Sequence, residues 1–465
     1  MHSEISKKYD AIIIGVGQAG KPLALDLAEA GWKTAIIERK HVGGSCVNYG
    51  CTPTKTLLAS AEIAHQARRS ADYGIQTGFV TVDYSAVKKR KDDLIESSRE
   101  SITKKLETTE NITFIRGEAA FTGPNHIEVA LSEGGSVQLI ADHIFINAGT
   151  HPALPDLDGL NQVPYLTAVT MMDLEVLPEH LIILGGGYIA LEFGQMFRRF
   201  GSKVTILEKG KQLLSREDED IAYELADILQ EEGIKVQLGT SVTGVHQTDS
   251  GAISVALQHD HATSKVLGSH LLVAIGTSPN TATLHLDAAG IEMDPKGYIQ
   301  VNDRLETTQP GVYALGDIKG GPEFTHISYD DYRIVKQNLL EKGNASTAGR
   351  RVPYTVFTDP QLGRIGMSEK EAKKNNQPVK IASMPMYKVA RAYEMGRTQG
   401  FLKVLIDPET DQILGAALLG MEGGEMMAML QIAMMGKVPY TQLRDGVFAH
   451  PTLAESFNNL FQTVE

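Results

Sequence analysis

Cysteine is nearly missing from this chain of 465 residues: it has two, Cys46 and Cys51, and no third. The shortage weighs against a metal centre, because zinc takes about four ligands and only His41 lies near the pair. Long apolar runs are missing as well, and none approaches the roughly 20 residues that a membrane-spanning helix needs. Positive charge is in deficit, with 44 Lys and Arg against 57 Asp and Glu and a formal net charge of −13. That balance disfavours nucleic acid or an anionic membrane as the main partner. No signal-peptide apolar region forms near the start, since Ala11–Ile14 stops at Gly15, so a cytoplasmic protein is expected. In such a reducing compartment a lone cysteine pair is more often catalytic than structural. What remains is an ordinary globular composition, 42% hydrophobic and 22% charged. Its length suggests about three domains.

The two cysteines stand in the run Gly43-Gly44-Ser45-Cys46-Val47-Asn48-Tyr49-Gly50-Cys51-Thr52-Pro53-Thr54-Lys55. Five helical steps rise roughly 7.5 Å and place the two side chains on different faces. A disulfide needs Cα atoms within about 7 Å. If the thiols pair, the backbone between them must leave helical geometry, which Asn48 and Gly50 tolerate. A bridge strained in this way opens more readily than a structural staple. Ser45 is placed to cap a following helix, and a helix N-terminus lowers a thiol pKa. Two inert buried thiols are the plain alternative.

A second pattern repeats. Tyr9–Ile14 reads as a buried parallel strand, Gly15-Val16-Gly17-Gln18-Ala19-Gly20 follows, and a helical stretch runs to Ala30. Gly31 ends the helix, and a second strand, Thr34–Ile37, leads to Glu38. Strand, Gly-x-Gly-x-x-Gly, helix, strand and acid make a dinucleotide-binding unit: the glycines let a pyrophosphate approach the helix N-terminus, and the acid binds ribose hydroxyls. The unit recurs at an offset of 170, with Gly15 matching Gly185, Gly17 Gly187, Gly20 Ala190, Gly31 Gly201 and Glu38 Glu208. Two such units imply two dinucleotides. A carboxylate at Glu208 accepts from a ribose 2′-hydroxyl and repels a 2′-phosphate, which favours NADH over NADPH, although Lys209 and Lys211 lie close by.

The cysteine segment carries every element of Gly-Gly-x-Cys-x-x-x-x-Cys-x-Pro-x-Lys. With both fingerprints in place, essentially the whole chain resembles the FAD-dependent pyridine nucleotide-disulfide oxidoreductases, the family of glutathione reductase, dihydrolipoamide dehydrogenase and mercuric reductase. The resemblance implies an α/β fold with two Rossmann-like domains and a C-terminal α+β dimerisation domain. It implies a split FAD domain over residues 1–150 and 280–345, a nicotinamide nucleotide domain over 151–279 and an interface domain over 350–465. The boundaries rest on two similar strand-and-small-residue segments, Ile144–Thr150 and Leu271–Pro279. FAD would contact Gly15, Gly17, Gly20, Glu38, Gly44, Ser45, Lys55, Gly149 and Asp317, the last on the ribityl chain. The nicotinamide nucleotide would contact Gly185, Gly187, Tyr188, Ala190, Glu208 and Gly276, with Tyr188 covering the flavin until the nicotinamide arrives.

The same resemblance gives chemical roles. Cys46 would be the exposed interchange thiol and Cys51 the thiolate near the flavin. Lys55 and Glu192 would pair beside flavin N5. His450, five residues before Glu455, would shuttle the thiol proton while Glu455 orients it, across to the other subunit of an obligate homodimer. A lone histidine would otherwise be read as structural. No metal ligand set is expected. The Met-rich stretch Glu425–Met435 reads as core or subunit packing, and the Lys88-Lys89-Arg90-Lys91 run as a solvated face.

The acceptor is less defined. The wording is most similar to the mercuric-reductase-like branch, and residues 320–333 and 443–452 also resemble the reactive-chlorine-resistance reductases. Mercuric reductases carry an extra adjacent cysteine pair near the C-terminus, and many carry an amino-terminal metal-binding domain; this chain ends Asn-Asn-Leu-Phe-Gln-Thr-Val-Glu. The expectation is therefore a reductase of a small thiol-reactive oxidant: a low-molecular-weight disulfide, a hypohalous-type oxidant or a soft metal ion. Dihydrolipoamide dehydrogenase, a mercuric reductase without the extra cysteines, and a redox-sensing flavoprotein that binds a partner are the alternatives.

Overall fold

The computed structural model describes residues 7–260 and 262–465. The described residues divide into two compact units, one within 1–56, 85–153 and 276–350, the other within 57–84, 154–275 and 351–465.

The first unit is built on a six-stranded sheet. Lys7–Ile14 lies between Thr34–Glu38 and Ser136–Ile146 and runs parallel to both. Five of its last six residues are apolar, and Ala11–Ile14 is buried throughout, as a strand covered on both faces requires. Ile112–Gly123 joins Thr34–Glu38 in parallel, then turns through His126–Leu131 to Ser136–Ile146 as an antiparallel meander. Val312–Ala314 closes the far edge. Gly20–Glu29 packs Leu23, Ala24 and Leu27 onto one face of the sheet. The charged helix Tyr84–Thr108 and the helix Thr325–Leu340 complete the unit. The basic run departs from the sequence expectation here. Lys91 is only 2% exposed and ion-pairs with Asp92, while Arg90 donates to the Thr56 carbonyl.

The second unit holds a five-stranded parallel sheet in the order Lys235–Gln237, Lys203–Leu207, His180–Leu184, His270–Val273, Tyr165–Thr167. A three-stranded antiparallel sheet, Thr240–Gln247, Ile253–His259 and Ala262–Gly268, lies beside it. Residues 351–465 form an antiparallel five-stranded sheet that is covered by the helix Gly423–Met435. In that helix Met426, Met427, Leu430 and Met434 are core residues, whereas Met429, Ile432 and Met435 are exposed.

Candidate active site

The two fingerprint units reproduce each other in backbone detail. Gly15 and Gly185 both have positive φ, +101° and +109°, and a side chain at either would strike a passing carbonyl. The Asn147 oxygen would lie 2.3 Å from a Cβ at Gly15, and the Ala274 oxygen 2.4 Å from one at Gly185. The two acids match as well. Glu38 accepts from the Val16 and Lys40 amides at 3.0 and 2.9 Å. Glu208 accepts from the Gly210 amide at 2.5 Å and lies against Gly186. Gly17 is crowded by the Asn147 side chain and Gly44 by the Gly17 backbone, so this loop can present only main chain to a ligand. Gly187 faces open space at the start of the Tyr188–Phe200 helix, where main-chain N–H groups and the helix dipole favour a phosphate. These surroundings fit the pyrophosphate and ribose of a dinucleotide in each unit.

Gly20 and Ala190 differ for a steric reason. A Cβ at Gly20 would meet the Gly15 carbonyl at 2.2 Å, whereas Ala190 is buried without such a clash. Asn147 is a residue that the sequence reading missed. Its side-chain oxygen accepts from Gly20 N and its amide donates to the Leu315 carbonyl, so one buried side chain ties the glycine turn to two crossing segments. The small-residue turn Asn147-Ala148-Gly149 was the available signal. Gly149 and Gly276 both adopt positive φ where the ribbon of Thr150–Pro152 and Thr277–Pro279 begins.

The cysteines sit where helix geometry breaks. One short helix covers Gly44–Asn48, and a second begins at Cys51 and runs to Arg69, with Tyr49 and Gly50 outside both. Ser45 does not act as the cap: Gly43, at φ +96°, takes that position with no side-chain hydrogen bond, and the Ser45 carbonyl accepts from Tyr49 N and Gly50 N. The helix N-terminus therefore falls at Cys51. Asn48, almost wholly buried, donates to the Val42 and Gly44 carbonyls, and its oxygen accepts from Arg99 Nε at 2.5 Å.

Both cysteines are thiols here and hydrogen-bond to each other. That bond, with burial, pushes Cys46 well above the ordinary thiol range. The same bond is the largest influence bringing Cys51 down to about 6. The Thr325 hydroxyl, 3.1 Å from Cys51 Sγ, and the Lys55 ammonium act in the same direction. Cys51 presents surface to solvent, yet the protein packed round its sulfur still opposes the charge. The surroundings thus favour the negative charge at Cys51 and the proton at Cys46. Asp317 follows Gly316 at the end of the Val312–Ala314 strand, and burial, assisted by the Glu323 carboxylate, raises it to about 7. Glu323 in turn accepts from the Thr277 and Tyr298 hydroxyls.

The second unit carries the remaining residues. Glu192 is 4% exposed and accepts from Phe357 N at 3.0 Å. Tyr188 opens its helix and is 38% exposed. His450 is exposed, and its Nδ1 meets both Glu455 oxygens at 2.8 and 3.1 Å, which turns Nε2 away from the carboxylate. Thr452 accepts from Glu455 N at 3.2 Å and donates to the Ala449 carbonyl, fixing the turn between the two. Lys55 lies in the first unit, four residues after Cys51 on the same helix. Among the described residues no group of His, Cys, Asp and Glu could hold a metal ion, and no helix is long and apolar enough to cross a membrane.

Paired dinucleotide folds with a helix-opening thiolate define a flavin- and nicotinamide-linked disulfide oxidoreductase. The chain belongs to the pyridine nucleotide-disulphide oxidoreductase family, which matches residues 9–331, with the family's dimerisation domain matching residues 352–461. It is 40% identical to the probable pyridine nucleotide-disulfide oxidoreductase RclA of Escherichia coli strain K12, covering 98% of this chain and all of that protein. A mercuric reductase of Lysinibacillus sphaericus is 33% identical over 96% of this chain and 81% of its own length. A dihydrolipoyl dehydrogenase of Thermus scotoductus is 32% identical over 97% and 96%. The fold is that of a solved structure described as the Cu(II) complex of HOCl-induced flavoprotein disulfide reductase RclA from Escherichia coli, with a TM-score of 0.89 and 38% identity over 98% of this chain and 99% of that one. The protein is thus an RclA-like flavoprotein disulfide oxidoreductase that uses FAD and a pyridine nucleotide and assembles as a homodimer.

Proposed function

We propose that this protein passes electrons from NADH, through FAD and the Cys46–Cys51 couple, to a small thiol-reactive oxidant. The observation that carries the reading is the unequal placing of the pair: Cys51 opens a helix with the Thr325 hydroxyl 3.1 Å from its sulfur, and the surroundings lower its pKa while they raise that of Cys46. Bound FAD supplies the two-electron relay between the nicotinamide and the sulfurs. The glycine turn at Gly15 and Gly17, with Gly44, Ser45, Gly149, Glu38 and Asp317, would hold it. Two electrons break the S–S bond, and one proton taken up at Cys46 leaves Cys51 charged. Cys46 then gives up that proton and attacks the oxidant, and Cys51 attacks the Cys46 sulfur of that adduct, expelling the reduced oxidant as the disulfide closes again. His450 of the partner subunit, aligned by Glu455, accepts and returns the proton at Nε2. Lys55 steadies negative charge beside Cys51, and Glu192 is its proposed counter-ion.

Glu208 supports NADH as donor: a carboxylate that ends the second strand of such a unit accepts from a ribose 2′-hydroxyl and repels a 2′-phosphate. Gly185, Gly187, Ala190 and Gly276 would shape that site, with Tyr188 as its movable cover. We assign residues 1–150 and 280–345 to FAD binding, 151–279 to the nicotinamide nucleotide and 350–465 to the subunit interface.

For the acceptor, the similarity to a protein described as HOCl-induced and as binding Cu(II) favours a hypohalous-type oxidant or a soft metal ion. Mercury is disfavoured because Cys46 and Cys51 are the only cysteines. The test is anaerobic. NADH is added to the purified protein and the long-wavelength flavin–thiolate absorption is recorded, after which each oxidant is added in turn. The expected result is rapid discharge by hypochlorous acid or Cu(II). Discharge by lipoamide alone would make it a dihydrolipoyl dehydrogenase, and failure of the band to form would end the proposal.

A further inference from the structure

Thr325 has no part in the mechanism above, yet its hydroxyl lies 3.1 Å from Cys51 Sγ, within hydrogen-bond distance. It opens the sixteen-residue helix Thr325–Leu340, with no side-chain cap at the preceding Phe324. The sulfur therefore meets a hydroxyl at a helix N-terminus, and Cys51 itself opens a second helix. Two helix starts and one hydroxyl converge on a single sulfur.

We propose that the Thr325 hydroxyl is a catalytic residue that selects Cys51, rather than Cys46, to carry the negative charge of the reduced couple. The argument is one of proton counting. A hydroxyl has one proton to donate and two lone pairs with which to accept. In the reduced state Cys46 keeps its S–H and needs an acceptor, while the Cys51 thiolate needs donors. The hydroxyl lies within hydrogen-bond distance of Cys51 Sγ and gives its proton to that sulfur when it is charged. In the disulfide neither sulfur is charged, and a hydroxyl bond to neutral sulfur is weak. The bond thus strengthens only on reduction. It stabilises the reduced form and fixes which sulfur stays behind when the other attacks. Phe324 and His326, stacked with ring centroids 5.3 Å apart, flank the hydroxyl on the same turn.

The inference rests on the disulfide-reductase reading, and the experiment separates the two. Thr325→Val and Thr325→Ser are prepared as flavin-loaded protein. The reduced forms are alkylated with iodoacetamide across pH 5 to 9, and each cysteine is followed by fragment mass spectrometry. In Thr325→Val the midpoint for Cys51 is expected to rise by about one pH unit, the usual worth of a hydrogen bond to a charged group. Thr325→Ser restores it. The couple in Thr325→Val, equilibrated against dithiothreitol, also becomes harder to reduce by about 30 mV, the two-electron equivalent of that tenfold change. An unchanged midpoint in Thr325→Val, or a serine variant that behaves like valine, overturns the proposal. Should the valine variant not fold, Thr325→Ala is read by the same two measurements. If the parent protein gives no flavin–thiolate band with NADH but the alkylation midpoint still moves, the reductase reading fails and the role of Thr325 stands.

Discussion

At the residue scale, the chemistry turns on which of two neighbouring thiols is charged. Cys51, lowered to about 6, takes up a proton as the pH falls through that value. The long-wavelength absorption of the reduced protein is therefore expected to be full above about pH 7 and to fade with a midpoint near 6, as a spectral titration would record. Cys46→Ser is expected to abolish acceptor turnover while NADH still reduces the flavin, and full turnover in that variant would remove the dithiol mechanism. Asp317 gives a prediction of opposite sign. In protein stripped of flavin, burial holds its carboxyl near 7 against an ordinary 3.8, so the folded state keeps a proton that the unfolded chain releases. Its contribution to stability is complete below about pH 4 and is lost as the pH rises through 7. Asp317→Asn should flatten that slope in denaturant titrations at pH 5 and pH 8, at the cost of weaker FAD retention. His450 and Glu455 were legible as a pair five residues apart, and the structure brings them within 2.8 Å. Thr325 was not legible, because nothing near a helix start 274 positions away announces a sulfur contact.

At the scale of elements, the two glycine turns should fail separately. Gly15→Ala forces a Cβ into the Asn147 carbonyl and is expected to yield protein without bound flavin. Gly185→Ala meets the Ala274 carbonyl in the same way and should remain yellow but lose reduction by NADH. Absorbance of the purified variants separates the outcomes. The Tyr84–Thr108 helix has a role that its charged composition concealed. Through Arg99 it clamps Asn48, the last residue of the short helix that ends before the break between the cysteines. Arg99→Leu leaves the Asn48 oxygen buried without that donor, and a loss of about 1–3 kcal/mol is expected in equilibrium unfolding. Lys91 on the same helix is buried for a related reason: four basic residues in a row cannot all lie on one face of a helix with 3.6 residues per turn.

At the scale of the whole molecule, a homodimer must bury apolar surface, and the helix Gly423–Met435 offers some. Met429, Ile432 and Met435 are 39%, 69% and 71% exposed on a helix whose other apolar residues are packed inward. Replacing Ile432 and Met435 by Asp is expected to shift the sedimenting species toward monomer. Acceptor turnover should fall with it if His450 serves the other subunit, while flavin reduction by NADH persists.

The periodic and strictly spaced features were determined by the sequence alone. The two strand–glycine–helix–strand–acid units, the break in helix geometry between Cys46 and Cys51 and the His450–Glu455 spacing are all local, because backbone sterics act over a few residues. Tertiary structure decided what depends on groups distant in the chain. Asn147 pins a glycine turn 127 positions earlier, Arg99 grips Asn48, and the lowering of the Cys51 thiol comes first from the neighbouring cysteine, with Thr325 and Lys55 acting in the same direction. A pKa is set by the charges and donors that surround a group, and only the folded chain brings these together.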